Sequence, residues 1–165
     1  MNRNRTRSRN LYFYVWVDKL RIYFYTTKDV YGFCSNFSAF GIEVDGKFWP
    51  TVEHYFQAQK FTDPAYQEKI FRALTAKNAL SLGHTRNIPL RENWEDIKDE
   101  VMYFAVKKKF STHQKIREKL LATFPEDIIE SSPYDYYWGC GQDGTGQNKL
   151  GKILMRVREQ LLLGV

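Results

Sequence analysis

The residues best suited to chemistry lie in one segment, residues 49–61, which reads WPTVEHYFQAQKF. If the segment is helical, Glu53, Gln57 and Lys60 occur at i, i+4 and i+7 and share a narrow stripe. The carboxylate and the amine would then lie about 10 Å apart along the axis and could bracket a ligand. Aromatic neighbours would raise the pKa of the carboxyl group towards the range useful for acid–base catalysis. The spacing also fits a solvated Glu–Lys face, and spacing alone favours that interpretation.

A glycine-rich segment, residues 135–151, is the second candidate, with the sequence DYYWGCGQDGTGQNKLG. Five of the ten glycines of the chain lie between Gly139 and Gly151, just before a predicted helix. Free N–H groups at a helix start attract anions, and glycine allows close approach of the backbone. The segment is neither a P-loop nor a Rossmann fingerprint, because it lacks the GK[ST] ending and does not follow a clear strand. Taken alone, it favours a flexible loop in which Asn148 caps the helix.

Two further segments are polar and less specific. Residues 83–94 place Arg86 in a loop between helices, where it could hold a phosphate by a bidentate contact or simply be solvated. Residues 31–37, with the sequence YGFCSNF, form a turn whose Ser35 and Asn36 could cap the backbone or bind the edge of a base. Neither segment identifies a function by itself.

The basic charge of the chain is concentrated at its N-terminus. The formal net charge of the 165 residues is +6, and residues 1–10 contain Arg3, Arg5, Arg7 and Arg9 without an acid, which leaves +2 for the rest. The basic arm could add weak nucleic-acid contact, whereas the remainder is nearly neutral. Two cysteines, with no CxxC or HExxH motif, argue against a disulfide framework and an ordinary zinc site, and favour a reducing cytoplasm.

These segments require elements to position them, and the patterns predict one mostly helical α+β domain with a small N-terminal antiparallel sheet. Residues 11–17 are too short to span a membrane and lack a signal-peptide cleavage site, so a strand is favoured there. Pro50 and Asp63-Pro64 indicate helix starts. The predicted elements are strands at 11–17 and 22–26, a hairpin at 42–49 turning at Asp45-Gly46, helices from 50, at 63–74 and 75–82, a helical region at 93–124, a strand at 127–130 and a last helix from about 150.

Taken in order, four motifs resemble the YbiA/NADAR family: YGxxSNF, VDGKxWPTxEHYFQAQKF, GxxRxxPLRxNW, and DxxWGxG followed by NxLG. The resemblance covers residues 24–161 and leaves the basic arm, residues 1–10, outside the catalytic domain at 11–165. It implies a compact α+β fold and an N-glycosidase that uses no metal or other cofactor. It also implies a ribosylamine substrate, either a phosphorylated early intermediate of riboflavin synthesis or ADP-ribose attached to guanine.

The resemblance also assigns expected roles to residues. The acidic catalytic residue of the family matches Glu53, its active-site lysine matches Lys60, and Asp135 matches a further pocket position counted among the catalytic residues. Lys60 would donate a proton, hold phosphate, or capture C1′ as a Schiff base, which we favour slightly. The expected substrate-binding residues are Ser35, Asn36, Phe37, Gln57, Arg86, Trp94, Trp138, Gly139 and Asn148.

Two other hypotheses stay open at the level of sequence. A non-catalytic module could bind ADP-ribose or a related nucleotide in the same pocket. A basic nucleic-acid-binding protein is the weaker alternative, because residues 1–10 carry most of its charge. For Trp94, an anchor at a helix start in the core is as well supported as a base-stacking role.

Overall fold

The structure is a computed structural model that describes residues 20–164. The predicted strand at 11–17 and the arginines of the basic arm lie outside the described residues. The elements in chain order are β1 (Arg21–Phe24), a 3₁₀ turn (Gly32–Cys34), β2 (Ile42–Val44), β3 (Lys47–Trp49), α1 (Val52–Gln59), α2 (Pro64–Phe71), α3 (Ala76–Gly83), α4 (Trp94–Thr112), α5 (Gln114–Leu121), β4 (Asp127–Glu130) and α6 (Lys149–Leu163). The predicted α+β class with mostly helical content is confirmed.

The strands form two separate pairs. β2 and β3 make the predicted antiparallel hairpin, and the turn residues Asp45 and Gly46 have φ values of 51° and 74°, as a two-residue primed turn requires. β1 differs from the expectation of an antiparallel N-terminal sheet, because it pairs in parallel with β4. Parallel pairing buries Ile22 and Ile128 together across about a hundred residues of sequence, a partnership that local patterns do not encode.

Three of the helices begin at side-chain caps. Thr51 accepts the N–H of His54, so α1 begins at Val52, two residues after the predicted start at Pro50. Asp63 and Thr75 cap α2 and α3 in the same manner. The helical region predicted at 93–124 is interrupted after α4 by His113 and then continues as α5.

Helix α1 lies at the centre of the fold. Every residue from Val52 to Ala58 is buried, because α1 packs against α2, α3 and α4 as well as β3. A helix buried on all sides must place its polar residues in the interior, where each needs a partner or a ligand. The solvated-face interpretation of the 53–60 stripe is therefore wrong for Glu53 and Gln57.

Within residues 20–164, no helix is long and apolar enough to cross a membrane.

Candidate active site

A cavity of about 650 Å³ is lined by α1, α3, the turn after the 3₁₀ segment and the residues that follow β4. This volume suits a nucleotide-sized ligand. Among the residues predicted for the site, the structure brings these to the cavity wall: Ser35, Asn36, Phe37, Glu53, Gln57, Lys60, Asp135 and Trp138. All three predicted catalytic residues therefore line one cavity, although Asp135 lies more than seventy residues after Glu53 and Lys60 in the sequence.

Glu53 is a carboxyl group held almost out of contact with solvent. It lies in the first turn of α1 with only 5% of its surface exposed, and its Oε1 accepts a hydrogen bond from Gln57 Nε2 at 2.6 Å. Burial raises the pKa of Glu53 to about 7, Asp135 adds to the rise, and the Gln57 hydrogen bond and Lys60 oppose it. A carboxyl group with that pKa can exchange a proton near neutral pH.

Lys60 is the C-terminal cap of α1 and lies at the other end of the stripe. Its Nζ donates to the carbonyl oxygen of Gly83 at 3.4 Å and lies 5.8 Å from the centre of the Phe56 ring. Burial lowers the pKa of Lys60, the Arg86 charge lowers it further, and Glu53 opposes the change. A lowered pKa increases the share of neutral amine, the form that acts as a nucleophile.

The segment after β4 is fixed by a tight turn at Asp135. Oδ1 of Asp135 accepts the N–H groups of Tyr137 and Trp138 at 2.9 and 2.7 Å. The Trp138 ring then packs edge-on against Phe56, with 5.3 Å between ring centres. Asp135 thus orders the cavity wall through its own hydrogen bonds, and Trp138 presents an aromatic surface in the same cavity as Glu53.

The turn that contains Ser35, Asn36 and Phe37 forms another part of the cavity wall. Buried Lys109 on α4 holds it by donating to the carbonyl oxygen of Ser35 at 2.9 Å and to Ser38 Oγ at 2.7 Å. The carbonyl oxygen of Asn36 accepts the N–H of Glu53 at 3.1 Å, which ties this turn to the start of α1. Oδ1 of Asn36 is buried without a hydrogen-bond partner among residues 20–164, so it is available to a ligand donor.

Four of the expected substrate-binding residues do not line the cavity, and two of these act as structural supports. Trp94 is buried and packs on Phe56 with 5.1 Å between ring centres, which corresponds to the core-anchor interpretation. Asn148 has φ 50° and gives no side-chain cap; its side chain instead accepts from the N–H of Glu130 and donates to the carbonyl oxygen of Ile128. Its amide therefore fixes β4 to the start of α6.

Gly139 and Arg86 are the other two expected substrate-binding residues that do not line the cavity. Gly139 is buried, and its carbonyl oxygen accepts the N–H of Asn148 at 3.0 Å, so its contribution here is to the path of the loop. Arg86 is exposed, yet its charge lowers the pKa of both Lys60 and His84. Arg86 therefore lies close enough to the lysine end of the cavity to act on its electrostatics.

Sequence reasoning missed several residues that line the cavity. Lys77, Leu80 and His84 face it from α3 and its cap, at i, i+3 and i+7, a spacing that could have revealed them. Glu130, the last residue of β4, also lines it, and burial raises the pKa of its carboxyl group to about 8. An acid at the end of a strand carries no local sign of such burial, so only the tertiary structure identifies it.

No group of three or more His, Cys, Asp and Glu side chains in the described part of the chain is arranged to hold a metal ion. The expectation that the chemistry uses no metal stays a prediction.

Gly83 leaves the space that Gln57 occupies. A Cβ at position 83 would lie 2.6 Å from Cδ of Gln57 and closer still to its Oε1, although the backbone there is helical and suits alanine. We therefore expect Gly83→Ala to displace the Gln57 amide from Glu53 and lower kcat/KM by about tenfold to a hundredfold, because small misplacements in an active site are costly. Steady-state kinetics test this.

Ser81→Ala is the matched control for Gly83→Ala, because Ser81 is exposed on the same helix. It should leave kcat/KM unchanged. Wild-type kinetics for Gly83→Ala would show that the Gln57–Glu53 hydrogen bond does not need this space.

The fold and the cavity together define an α+β protein with a buried glutamic acid and a partly buried lysine on one helix. The NADAR domain family model matches residues 23–162, which is most of the chain. The chain therefore belongs to the NADAR domain family.

Individual relatives agree with this assignment. The chain is 51% identical over 142 residues to "N-glycosidase YbiA" of Escherichia coli (strain K12), covering 86% of this chain and 89% of that protein. It is 47% identical to "N-glycosidase Npun_R5314" of Nostoc punctiforme, covering 86% and 93% of the two chains. It is 46% identical to "Riboflavin biosynthesis protein VVA0006" of Vibrio vulnificus, covering 85% of this chain and 38% of that larger protein.

A solved structure agrees as well. The NMR structure of E. coli YbiA matches with a TM-score of 0.83 and 49% identity, covering 88% of this chain and 87% of the other. The resemblance to the YbiA/NADAR family inferred from sequence motifs is confirmed, and the chain is assigned as an N-glycosidase.

Proposed function

We propose that this N-glycosidase hydrolyses the bond between ribose C1′ and nitrogen in a phosphorylated ribosylamine-type substrate. The observation that supports this most directly is the buried carboxyl group of Glu53, with a pKa of about 7, in the same cavity as Lys60. Hydrolysis of such a bond needs stabilisation of positive charge at C1′, activation of water and a proton for the leaving base. A buried acid and a shielded amine are suited to those tasks.

Glu53 acts in its ionised form. As a carboxylate it lies close to a C1′ that becomes oxocarbenium-like or imine-like, and it accepts a proton from the attacking water. The hydrogen bond from Gln57 holds Oε1 of Glu53 in place. This bond also fixes the side-chain rotamer and therefore the direction of the second carboxylate oxygen. Substrate that fills the cavity would exclude bulk water and strengthen the attraction between Glu53 and C1′.

Lys60 has two roles compatible with its surroundings. As a cation it could hold a phosphate or donate a proton. As a neutral amine, favoured by its lowered pKa, it could attack C1′ of the ring-opened imine and release the base as a free amine. Water would then hydrolyse the Schiff base and restore the lysine. We favour the second role slightly.

The phosphate end of the substrate fits the basic side of the cavity. Lys60, Lys77 and His84 line it, and the Arg86 charge acts on the same region. These side chains replace the glycine-rich loop, which sequence reasoning suggested together with Arg86 for this task. The charges of Lys77 and Arg86 at one end and carboxyl groups at the other would orient a phosphorylated sugar with its leaving base towards Glu53 and Asp135. His84, whose pKa burial lowers, would contribute a neutral hydrogen-bond donor.

The leaving base fits the aromatic side of the cavity. Trp138 offers a ring for stacking and Phe37 is partly exposed at the same cavity. Asn36 Oδ1 can accept from an N–H group of the base, and Asp135 is a second acceptor that lines the same cavity.

Two substrates meet these requirements. The name of the Vibrio relative, a riboflavin biosynthesis protein, supports a riboflavin intermediate, a pyrimidine ribosylamine phosphate. ADP-ribose attached to guanine is the alternative, and the arginines of residues 1–10 would then assist by weak contact with nucleic acid.

We also propose a cytoplasmic location, supported by Cys34 and Cys140, which are both free thiols.

Incubation of the protein with each substrate separately tests the proposal. We expect release of free base from one substrate at a rate at least about 10³-fold above the uncatalysed reaction, as positioned acid–base chemistry allows. Chromatography of the products measures it. Binding of ADP-ribose without release of base from either substrate would contradict the proposal and support the non-catalytic binding module.

A further inference from the structure

Glu130 is an acid in the cavity that the mechanism above does not use. It ends β4, lines the same cavity as Glu53 and Asp135, and its Oε2 is buried without a hydrogen-bond partner in the part of the chain that the structure describes. A buried carboxyl oxygen without a partner is costly when ionised, so such a group is retained where it serves a ligand. Its position beside a ligand cavity calls for an explanation other than stability.

The backbone around Glu130 is fixed from three sides. The N–H of Glu130 donates to Asn148 Oδ1 at 3.0 Å, and the carbonyl oxygen of Glu130 accepts the N–H of Cys140 at 2.8 Å. In the parallel pair of strands, Glu130 of β4 lies opposite Phe24 of β1. The carboxyl group is therefore presented by a rigid strand end rather than by a mobile loop. A reacting group needs this kind of support, because catalysis depends on sub-ångström placement.

The charges around Glu130 favour its protonated form. Burial, together with the nearby carboxyl groups of Asp135 and Glu53, raises the pKa of Glu130 to about 8. Three carboxyl groups that share one cavity cannot all be ionised at low cost, so a proton is retained in the cluster at neutral pH. Burial raises the pKa of both Glu53 and Glu130, so these two glutamic acids are the groups that retain that proton.

We propose that Glu130 is the proton donor to the leaving base. As the C1′–N bond breaks, its electron pair stays on nitrogen, and the Glu130 O–H proton moves to that nitrogen, so that the base departs neutral and Glu130 becomes a carboxylate. Water adds to C1′ and gives a proton to Glu53, and transfer of that proton back to Glu130 through solvent completes the cycle. If Lys60 attacks C1′ first, the departing amine needs the same proton. This inference rests on the proposed N-glycosidase function.

Substitution of Glu130 should impair turnover, whereas the same substitution at Glu43 should not. Glu130→Gln retains the shape of a protonated carboxyl group but cannot supply an acidic proton, so the protein should fold and bind substrate. We expect kcat to fall about 10²-fold, within the range for loss of one acid–base group, with KM changed less than about threefold. Glu43→Gln, at an exposed position of the hairpin, is the matched control and should keep both constants.

A second variant separates proton donation from a structural role. Glu130→Ala removes a side-chain fragment that acetate can replace, and the surroundings that raise the pKa of Glu130 would raise that of bound acetate. We expect acetate to restore kcat of Glu130→Ala at least tenfold and to leave Glu130→Gln unchanged. Base release is measured on the substrate that the wild type turns over.

The outcomes distinguish this inference from the proposed function. No base release by the wild type contradicts the proposed function itself. With an active wild type, unchanged kcat in Glu130→Gln, a loss confined to KM, or an Ala variant that acetate does not restore overturns the assignment of Glu130 as proton donor. A fall in kcat with restoration by acetate supports it.

Discussion

Glu53→Gln should abolish turnover while leaving substrate binding intact. The amide has nearly the shape of the carboxyl group and can still pair with Gln57, so the cavity keeps its form. It can neither carry the negative charge that stabilises C1′ nor accept a proton from water. Because both tasks are lost together, we expect kcat to fall about 10³- to 10⁴-fold, at the upper end for one acid–base residue.

The loss of kcat/KM caused by Glu53→Gln should depend on pH. Burial raises the pKa of Glu53 to about 7, so its reactive carboxylate is scarce at pH 6 and predominates at pH 8. Wild-type kcat/KM should therefore rise as the pH rises through about 7, whereas the residual activity of Glu53→Gln should lack this rise. The fold-loss caused by the substitution should accordingly be greater at pH 8 than at pH 6.

Binding must be measured alongside turnover in this experiment. Isothermal titration with the ribosyl product, which neither protein turns over, should give Kd values for the wild type and Glu53→Gln within about fivefold of each other, since the amide and the carboxyl group occupy the same space. If Glu53→Gln binds the ligand as the wild type does but releases no base, the wild-type protein is an enzyme and not only a binding module. If Glu53→Gln retains wild-type kcat, Glu53 is not the reacting acid, whatever its burial.

The local parts of the fold could be predicted because each depends on neighbouring residues. The Asp45-Gly46 pair predicts the hairpin, because few other residue pairs accept two successive positive φ values. Asp63-Pro64 and Thr75 predict helix starts, which the structure confirms with side-chain caps. These signals act over three or four residues and need no tertiary context.

The parallel pairing of β1 and β4 could not be predicted in this way. It joins Ile22 to Ile128 through a partnership between distant segments, and the expectation of an N-terminal antiparallel sheet followed from proximity in sequence. The same limit applies to Glu130 at the end of β4. Its burial arises only after β4 has packed against α6 and the 135–141 loop.

Helical spacing identified the stripe of Glu53, Gln57 and Lys60, and the structure places all three at the cavity. Spacing could not establish whether the stripe faces water or the interior, because the periodicity of polar residues is the same in both cases. Trp94 and Asn148 lie outside the cavity lining, because Trp94 packs against Phe56 and Asn148 holds β4. Their expected contact with the substrate stays a prediction.

Lys60 gives the second large effect, and two substitutions separate its roles. Lys60→Arg keeps a cation near the carbonyl oxygen of Gly83 but cannot form a Schiff base, whereas Lys60→Met removes both functions. If Lys60 captures C1′, both variants should lose about 10³-fold or more in kcat. If its charge holds phosphate, Lys60→Arg should retain most of kcat and Lys60→Met should mainly raise KM.

Borohydride added during turnover should trap the Schiff base and show which role operates. Reduction of the C1′=N bond would leave a stable secondary amine on Lys60, detectable as a phosphoribosyl or ADP-ribosyl mass increase on the peptide that contains it. Lys77 lines the same cavity and serves as the internal control for nonspecific glycation. A mass increase on Lys60 in the wild type, and on neither lysine in Glu53→Gln, would connect the adduct to catalysis. Equal labelling of Lys77 and Lys60, or no adduct under turnover, would contradict the Schiff-base role and leave Lys60 as a cation that positions the phosphate or donates a proton.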